Sequence, residues 1–193
     1  MLMATLDLAA EQGWPAVTVR KVAERIEYSP GMLYEYFDGK EALLTALLQE
    51  GYTRLLAEME VAISAVETIE DRLLAITHVY WCFALANPAL YRVMHGLDGV
   101  PFCADDESPE MRRVVSLTAD AIRELTGSLP EDELMDMVDL AWATLHGLVS
   151  LVLAQQLPGG AERGLLLVDR HAHDLITAWR SRRHQAQHGK HEG

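Results

Sequence analysis

The chain has 193 residues, of which 50% are hydrophobic and 23% charged, and its mean hydropathy is +0.03, so it can bury a sizeable core and is not disordered. It contains no run of eighteen apolar residues, and residues 1–10 lack the charged start and cleavage site of a signal peptide, so we expect a soluble cytoplasmic protein without a membrane span. The net charge of −13 argues at first against a nucleic-acid partner, but the acidic residues cluster at 58–71, 105–110 and 131–139, beyond the first motif of the chain.

The hydrophobic pattern follows the helical period along the chain, and no segment alternates with period two. We therefore predict an all-α fold. The first helix is predicted over residues 2–12 and ends at Gly13, because a glycine commonly follows the last helical residue. Trp14 and Pro15 connect it to the next element.

Two short helices joined by a tight turn are predicted between Thr18 and Phe37. The first begins at Thr18, whose hydroxyl can cap the free amides that follow. The second begins at Ser29 and Pro30, a capping hydroxyl followed by proline at the first helical position. Helices this short need support from neighbours, and with a flanking helix on each side they form a helix-turn-helix unit, which places its second helix in the major groove of DNA.

The stretch TVRKVAERIEYSPGMLYEYFDGKEALL, residues 18–44, resembles the DNA-binding segment of the TetR family of transcriptional regulators, and residues 6–14 resemble the end of that family's first helix. The match covers about the first fifty residues, with its fragments in the expected order and at the expected distances. Family members usually carry a basic arm and one more turn before the first helix. Either this sequence is truncated at its start, or the minor-groove and phosphate contacts of that arm are missing.

Residues 1–50 contain four Lys or Arg and eight Asp or Glu, a net charge of −4, which predicts modest non-specific DNA binding and reliance on a few well-placed groups. Helix N-termini at Thr18 and Lys40 suit phosphate oxygens, and Glu35 could accept from a cytosine amino group or repel phosphate. The alternative for Tyr34 and Tyr36 is ordinary packing. The predicted DNA-contacting residues are Thr18, Arg20, Ser29, Pro30, Gly31, Met32, Tyr34, Glu35, Tyr36 and Lys40.

A long helix is predicted from the capping pair Asp38 and Glu41 to about Val66. At roughly 40 Å it is long enough to belong to two domains, so we place the boundary inside it. The predicted organisation is a helix-turn-helix DNA-binding domain at 1–46, a helical ligand-binding and dimerisation domain at 47–184 and a disordered, polar tail at 185–193.

Five more helices are predicted from capping signals and breaking residues, with a loop at 96–107. They cover about 68–84, 89–95, 108–127, 130–156 and 161–184. The last two carry broad apolar surfaces, formed by Leu134, Met137, Val138, Ala141, Leu145, Leu148, Val149, Val152 and Leu153, and by Leu165, Leu166, Val168, Ile176 and Trp179. These surfaces are either core alone or also pair with a second copy; we expect a homodimer, because operator recognition needs two reading helices about 34–36 Å apart.

The stretch AWATLHGL, residues 141–148, is similar to the Trp-x-x-x-His-Gly signature in the ligand domain of one TetR subgroup, and residues 87–91 are similar to its helix junction. This resemblance implies a regulatory domain without identifying the ligand. Candidate residues are aromatic, flexible or titratable, as in a mostly apolar pocket, and the alternative is that they are packed core. They are Tyr80, Trp81, Phe83, Met94, His95, Phe102, Met111, Trp142 and His146.

No Gly-rich phosphate loop, His-Glu-x-x-His helix or Gly-x-Ser-x-Gly elbow is present, so we expect no catalytic residue, no cofactor and no metal. Cys82 and Cys103 lack a metal-binding or redox spacing. His171 and His173 lie on different faces of a helix, and a metal site that pairs His171 with His78 or His95 stays open.

We therefore predict a ligand-responsive, DNA-binding transcriptional regulator, a repressor released from a pseudo-palindromic double-stranded operator by a small apolar effector. The alternative is a helical module that binds small molecules or proteins and does not bind DNA. An enzyme ranks third.

Overall fold

A computed structural model of the protein describes residues 1–97, 108–127 and 129–188, with side chains to Ser181. Within these ranges the chain is helical and contains no strand, which confirms the all-α prediction. The helices are α1 (Leu2–Gln12), α2 (Val19–Arg25), α3 (Pro30–Tyr36), α4 (Gly39–Ser64), α5 (Ile69–Ala86), α6 (Pro88–Met94), α7 (Pro109–Thr126), α8 (Glu131–Leu153) and α9 (Gly160–His188).

Local capping sets the helix starts that the sequence predicted. The hydroxyl of Thr18 accepts a hydrogen bond from the amide of Lys21 at 3.2 Å, and the Ser29 hydroxyl accepts one from the amide of Met32 at 3.3 Å. Ser108 caps α7 in the same way. Glu27, in the turn between α2 and α3, has a φ of 59°, a left-handed conformation that reverses the chain within a few residues.

The molecule consists of two compact units. The first comprises Met1–Arg54 and Asn87–Met111. Its core is formed by apolar side chains of the helix-turn-helix segment, the first half of α4 and α6. They include Leu8, Trp14, Val17, Val22, Leu33, Leu43, Leu44, Leu47, Leu90, Tyr91 and Met94. Gly51 in α4 lies directly beneath Met94: a Cβ atom there would lie 2.5 Å from the Met94 sulfur.

The second unit comprises Leu55–Ala86 and Arg112–Gly193, and in it α5, α8 and α9 pack against one another. Gly164 permits the close approach of α9 to α5, because a Cβ at this position would lie 2.4 Å from the ring carbon Cη2 of Trp81. Ion pairs join the helix surfaces, among them Arg72 with Glu124 at 3.0 Å and Arg180 with Glu70 at 3.3 Å.

Several helix ends differ from the predicted ones. Helix α8 ends at Leu153 rather than 156, where Gln155 adopts a φ of 57°. Asn87 stands at the N-cap position of α6, but its side chain makes no capping hydrogen bond. Helix α9 continues to His188 and includes residues 185–188, which the sequence pattern assigned to the tail.

The unit boundary falls inside α4, after Arg54, and the first unit also contains α6, which the sequence pattern assigned to the second domain. The functional limits 1–46, 47–184 and 185–193 stay predictions. Among the described helices α8 is long and apolar enough to cross a membrane, and 17% of its most apolar window is buried. A single such helix is weak evidence for a span, because helices of soluble proteins also meet this criterion.

Candidate DNA-binding and ligand-binding sites

Helix α3 is anchored through one side chain and exposes the rest. Leu33 is fully buried, whereas Met32, Tyr34 and Tyr36 are 42%, 56% and 66% exposed. A Cβ atom added at Gly31 would meet no other atom within 4 Å, and Glu35 is exposed. This exposed face of α3, formed by Ser29, Pro30, Gly31, Met32, Tyr34, Glu35 and Tyr36, is hereafter the reading face.

The side chains exposed on this helix of two turns contribute little to the unit's own core. Their hydroxyl, carboxylate and thioether groups can instead contact phosphates, base edges and thymine methyl groups in a major groove.

The four basic side chains of residues 1–50 each have a polar partner. Arg20 pairs with Glu24 at 2.9 Å, and the Lys21 ammonium donates to Gln12 at 3.0 Å. Both residues lie on the exposed side of α2. Surface pairs of this type are worth little, so either side chain can exchange its partner for a phosphate.

Arg25 makes a two-pronged ion pair with Glu11, which joins α2 to α1. The hydrogen bond from Arg25 lowers the pKa of the Glu11 carboxyl, and the same bond raises the pKa of Arg25. This pair links α1 to α2, so both arms of the Arg25 guanidinium form a structural contact.

Lys40, predicted to bind phosphate, donates from its ammonium to the carbonyl oxygen of Trp14 at 2.7 Å and is half-buried. This bond ties the first turn of α4 to the connection after α1. An ammonium has three N–H donors, so two remain for a phosphate.

In the second unit, three of the predicted ligand-binding residues contact one another. The indole Nε1 of Trp142 donates to the hydroxyl of Tyr80 at 3.2 Å, and its ring stacks on His146 with centroids 5.2 Å apart. Tyr80 is buried, while Trp142 is 45% exposed. Partial burial lowers the pKa of His146 by desolvation. An amphipathic aromatic group of this kind can take up an apolar molecule and fix its polar end.

The remaining ligand-binding candidates lie elsewhere. Trp81 and Phe83 are 3% and 2% exposed and belong to the core of the second unit. Met94, His95 and Met111 belong to the first unit, where the His95 ring lies 4.4 Å from that of Tyr91. Phe102 lies outside the described residues.

Two polar atoms are buried and have no hydrogen-bond partner among the described residues: His171 Nε2 and Ser150 Oγ, of which the sequence pattern did not single out Ser150. Ser150 follows Trp142 and His146 at intervals of four residues in α8, so the helical period alone could have found it. Burial lowers the pKa of His171, while the negative charge of Asp174 opposes this effect.

No group of three His, Cys, Asp or Glu residues that could hold a metal occurs in the described part of the chain. His78, left open as a metal ligand, makes a close hydrogen bond through Nε2 to the Asp169 carboxylate. The Nε2 atom of His171, the histidine that was to pair with His78 or His95, is buried in the protein.

Comparison with protein families gives two matches. Residues 73–175 match the tetracyclin repressor-like C-terminal domain, and residues 1–47 match the bacterial regulatory proteins of the tetR family. A curated relative, the HTH-type transcriptional repressor KstR of Mycolicibacterium smegmatis, is 40% identical over 73 residues, which are 38% of this chain and 36% of that protein. The chain thus aligns with about a third of the length of this relative.

Solved structures share the fold over most of the chain. A TetR family transcription regulator from Marinobacter aquaeolei VT8 has a TM-score of 0.65 and 21% identity, and the match covers 90% of this chain and 92% of the other. The fatty acid degradation regulator FadR from Bacillus halodurans has a TM-score of 0.69 and 18% identity, with 91% and 92% covered.

Proposed function

Because this chain belongs to the TetR family of bacterial regulatory proteins, and is therefore a DNA-binding transcription regulator rather than an enzyme, we propose that it is a homodimeric repressor that a small apolar molecule releases from its operator. The observation that carries the proposal is the reading face of α3, which leaves Met32, Tyr34, Glu35 and Tyr36 exposed on a helix that only Leu33 anchors by full burial. We place the protein in the cytoplasm, where the DNA lies.

On the operator, Ser29, Gly31, Met32 and Glu35 face base edges, and Tyr34 and Tyr36 donate to phosphates. Thr18, Arg20, Pro30 and Lys40 lie at the edges of this contact. Since residues 1–50 carry only four basic side chains against eight acidic ones, phosphate contacts contribute little to affinity, which depends on base contacts more than in a strongly basic DNA-binding domain.

The second copy packs on α8 and α9. On α8, Leu140 and Leu151 are 69% and 40% exposed, and Thr144 and Gly147 lie between them at helical spacing. A Cβ added at Gly147 would meet no atom within 4 Å, so the helix backbone is open to a close neighbour. On α9, Leu166 is 65% exposed. An exposed apolar face with a glycine at its centre supports helix-to-helix pairing across a twofold axis.

The effector binds near Tyr80, Trp142 and His146. Helix α4 contributes to both compact units, so a change in the second unit can bias the position of the first. The effector must prefer the state that does not fit the operator by a few kcal/mol to change occupancy substantially. The related protein KstR is named a repressor, which supports repression rather than activation.

The test is selection of an operator from random duplex DNA, followed by affinity measurements over a range of salt concentrations. We expect a pseudo-palindromic site bound by one dimer, with a shallow salt dependence that reflects few phosphate contacts. A chain that shows no sequence-dependent binding at any salt concentration is instead the helical small-molecule or protein-binding module, the alternative favoured by the net negative charge of residues 1–50.

A further inference from the structure

Ser150 departs from the behaviour of other hydroxyls in the same unit. A helical Ser or Thr commonly donates to the carbonyl three or four residues earlier. Thr77, Thr126 and Thr144 do so at 2.8, 2.8 and 3.0 Å. The hydroxyl oxygen of Ser150 is buried and has no partner among the described residues.

Leaving a buried hydroxyl without a hydrogen-bond partner costs about 1–3 kcal/mol. A native structure therefore retains such a hydroxyl where a group that is not part of the chain can form the hydrogen bond. The neighbours of Ser150 on the helix indicate what that group is. Trp142, His146 and Ser150 recur every four residues and therefore share one side of α8, over about 12 Å along the helix axis.

This side of α8 combines an aromatic ring, an imidazole and a hydroxyl. Trp142 and His146 stack, and Trp142 is held by the Tyr80 hydroxyl of α5. Helix α8 contains no Lys or Arg, and the one such residue of α5, Arg72, pairs with Glu124. Because burial lowers the pKa of His146, its imidazole is neutral near pH 7 and offers no positive charge to an anion.

We propose that Ser150 is the hydrogen-bonding anchor of an effector site along the Trp142–His146–Ser150 side of α8, which takes an elongated, uncharged apolar molecule with a hydroxyl or carbonyl group. This inference rests on the proposed function and specifies its effector. The apolar body lies against Trp142, and the polar group exchanges a hydrogen bond with Ser150. A carboxylate is disfavoured because it would lose its hydration without gaining a cation from α8 or α5.

The test compares 1-decanol, 2-decanone and decanoate, which share a chain and differ in the polar group. Binding to the full-length protein is followed by tryptophan fluorescence and calorimetry. We expect the alcohol and the ketone to bind more tightly than the carboxylate. Ser150→Ala should weaken binding of the alcohol and the ketone by about three- to tenfold, the effect of one hydrogen bond.

The matched control is Ser181→Ala, an exposed α9 hydroxyl that donates to the Thr177 carbonyl, and it should leave probe binding unchanged. Without ligand, Ser150→Ala should melt no lower than the wild type, because it removes an unpaired group. The proposal is overturned if none of the probes binds, if decanoate binds best, or if Ser150→Ala binds as well as wild type. It is also overturned if this variant melts lower or dissociates the dimer, since Ser150 would then serve packing or the subunit contact.

Operator affinity measured in parallel separates this inference from the proposed function. Operator binding without Ser150-dependent probe binding overturns the effector site alone. Probe binding that depends on Ser150 in a protein that binds no operator supports the site and overturns the repressor function.

Discussion

Trp142 in α8 donates its indole N–H to the hydroxyl of Tyr80 in α5, across a sequence separation of 62 residues and a distance of 3.2 Å. The bond fixes one edge of a ring that is otherwise 45% exposed. It thereby connects the middle of α5 to the side of α8 on which His146 lies.

Tyr80→Phe removes the acceptor and leaves the aromatic packing in place. We expect a loss of about 0.5–1.5 kcal/mol in the free energy of unfolding, near the low end because water can reach Trp142. Urea denaturation measures it. Tyr28→Phe, which changes a tyrosine that is 51% exposed in the turn before α3, should be neutral. A loss above about 3 kcal/mol would mean that Tyr80 has a role beyond this bond.

Gly164→Ala should destabilise the second unit. The added methyl would lie 2.4 Å from Trp81 Cη2 and 3.1 Å from a methyl group of Val152, and a buried indole cannot swing aside. We expect a loss of about 1–3 kcal/mol, as for overpacked cores. Thermal and urea unfolding measure it, with Gly31→Ala as the control, because a methyl at Gly31 meets no atom within 4 Å. Equal stability of the two variants would contradict the close approach of α9 to α5.

Leu166→Glu should dissociate the dimer. A carboxylate in the proposed apolar subunit contact would lose its hydration without a partner. Sedimentation velocity at micromolar concentration measures the dimer fraction. Val61→Glu is the matched control, because Val61 on α4 is 70% exposed and Leu166 is 65% exposed. If both variants stay dimeric, the subunit contact lies on another face.

Substitutions on the reading face should separate affinity from specificity. Tyr34→Ala removes the proposed phosphate contact and should weaken binding to all sequences alike, while Glu35→Gln should change the preferred base at one position of each half-site. Replacing a good base contact costs about 1–3 kcal/mol of discrimination. Binding to a library of single-base operator variants measures both effects. A uniform loss for Glu35→Gln would assign Glu35 to phosphate repulsion rather than to base readout.

Stability should fall on mild acidification. Burial lowers the pKa of His146 and of His171 below the usual 6.5, so the unfolded chain binds more protons than the folded one at pH values between the folded and unfolded pKa. The stabilisation is complete above about pH 6.5 and is lost as the pH falls toward the folded-state pKa. Urea titrations at pH 7.5, 6.5 and 5.5 measure this slope. The double variant His146→Gln, His171→Gln should flatten it, and an unchanged slope would assign the dependence to other groups.

The helical fold, the helix starts at Thr18, Ser29, Thr68 and Ser108, and the helix-turn-helix motif could all be predicted from the amino-acid sequence. These features depend on residues three or four positions apart, such as the Thr68 hydroxyl that accepts from the Asp71 amide at 3.1 Å, and such contacts form wherever the local sequence permits them. The breaks after α1 and α7 likewise follow from Gly13 and Gly127, which have φ values of 78° and 86°.

Which aromatic residues are core and which are accessible depends on tertiary packing and could not be predicted from local patterns. The local sequence does not distinguish the environments of Trp81 and Trp142. Trp81 packs against Gly164, whereas Trp142 is half exposed, because burial depends on which helices pack around a side chain. The hydrogen bond of the Lys40 ammonium could not be predicted either, because its acceptor carbonyl lies 26 residues earlier in the chain. The unpaired hydroxyl of Ser150 likewise could not be predicted, because a missing hydrogen bond becomes evident only when the positions of all neighbouring donors and acceptors are known.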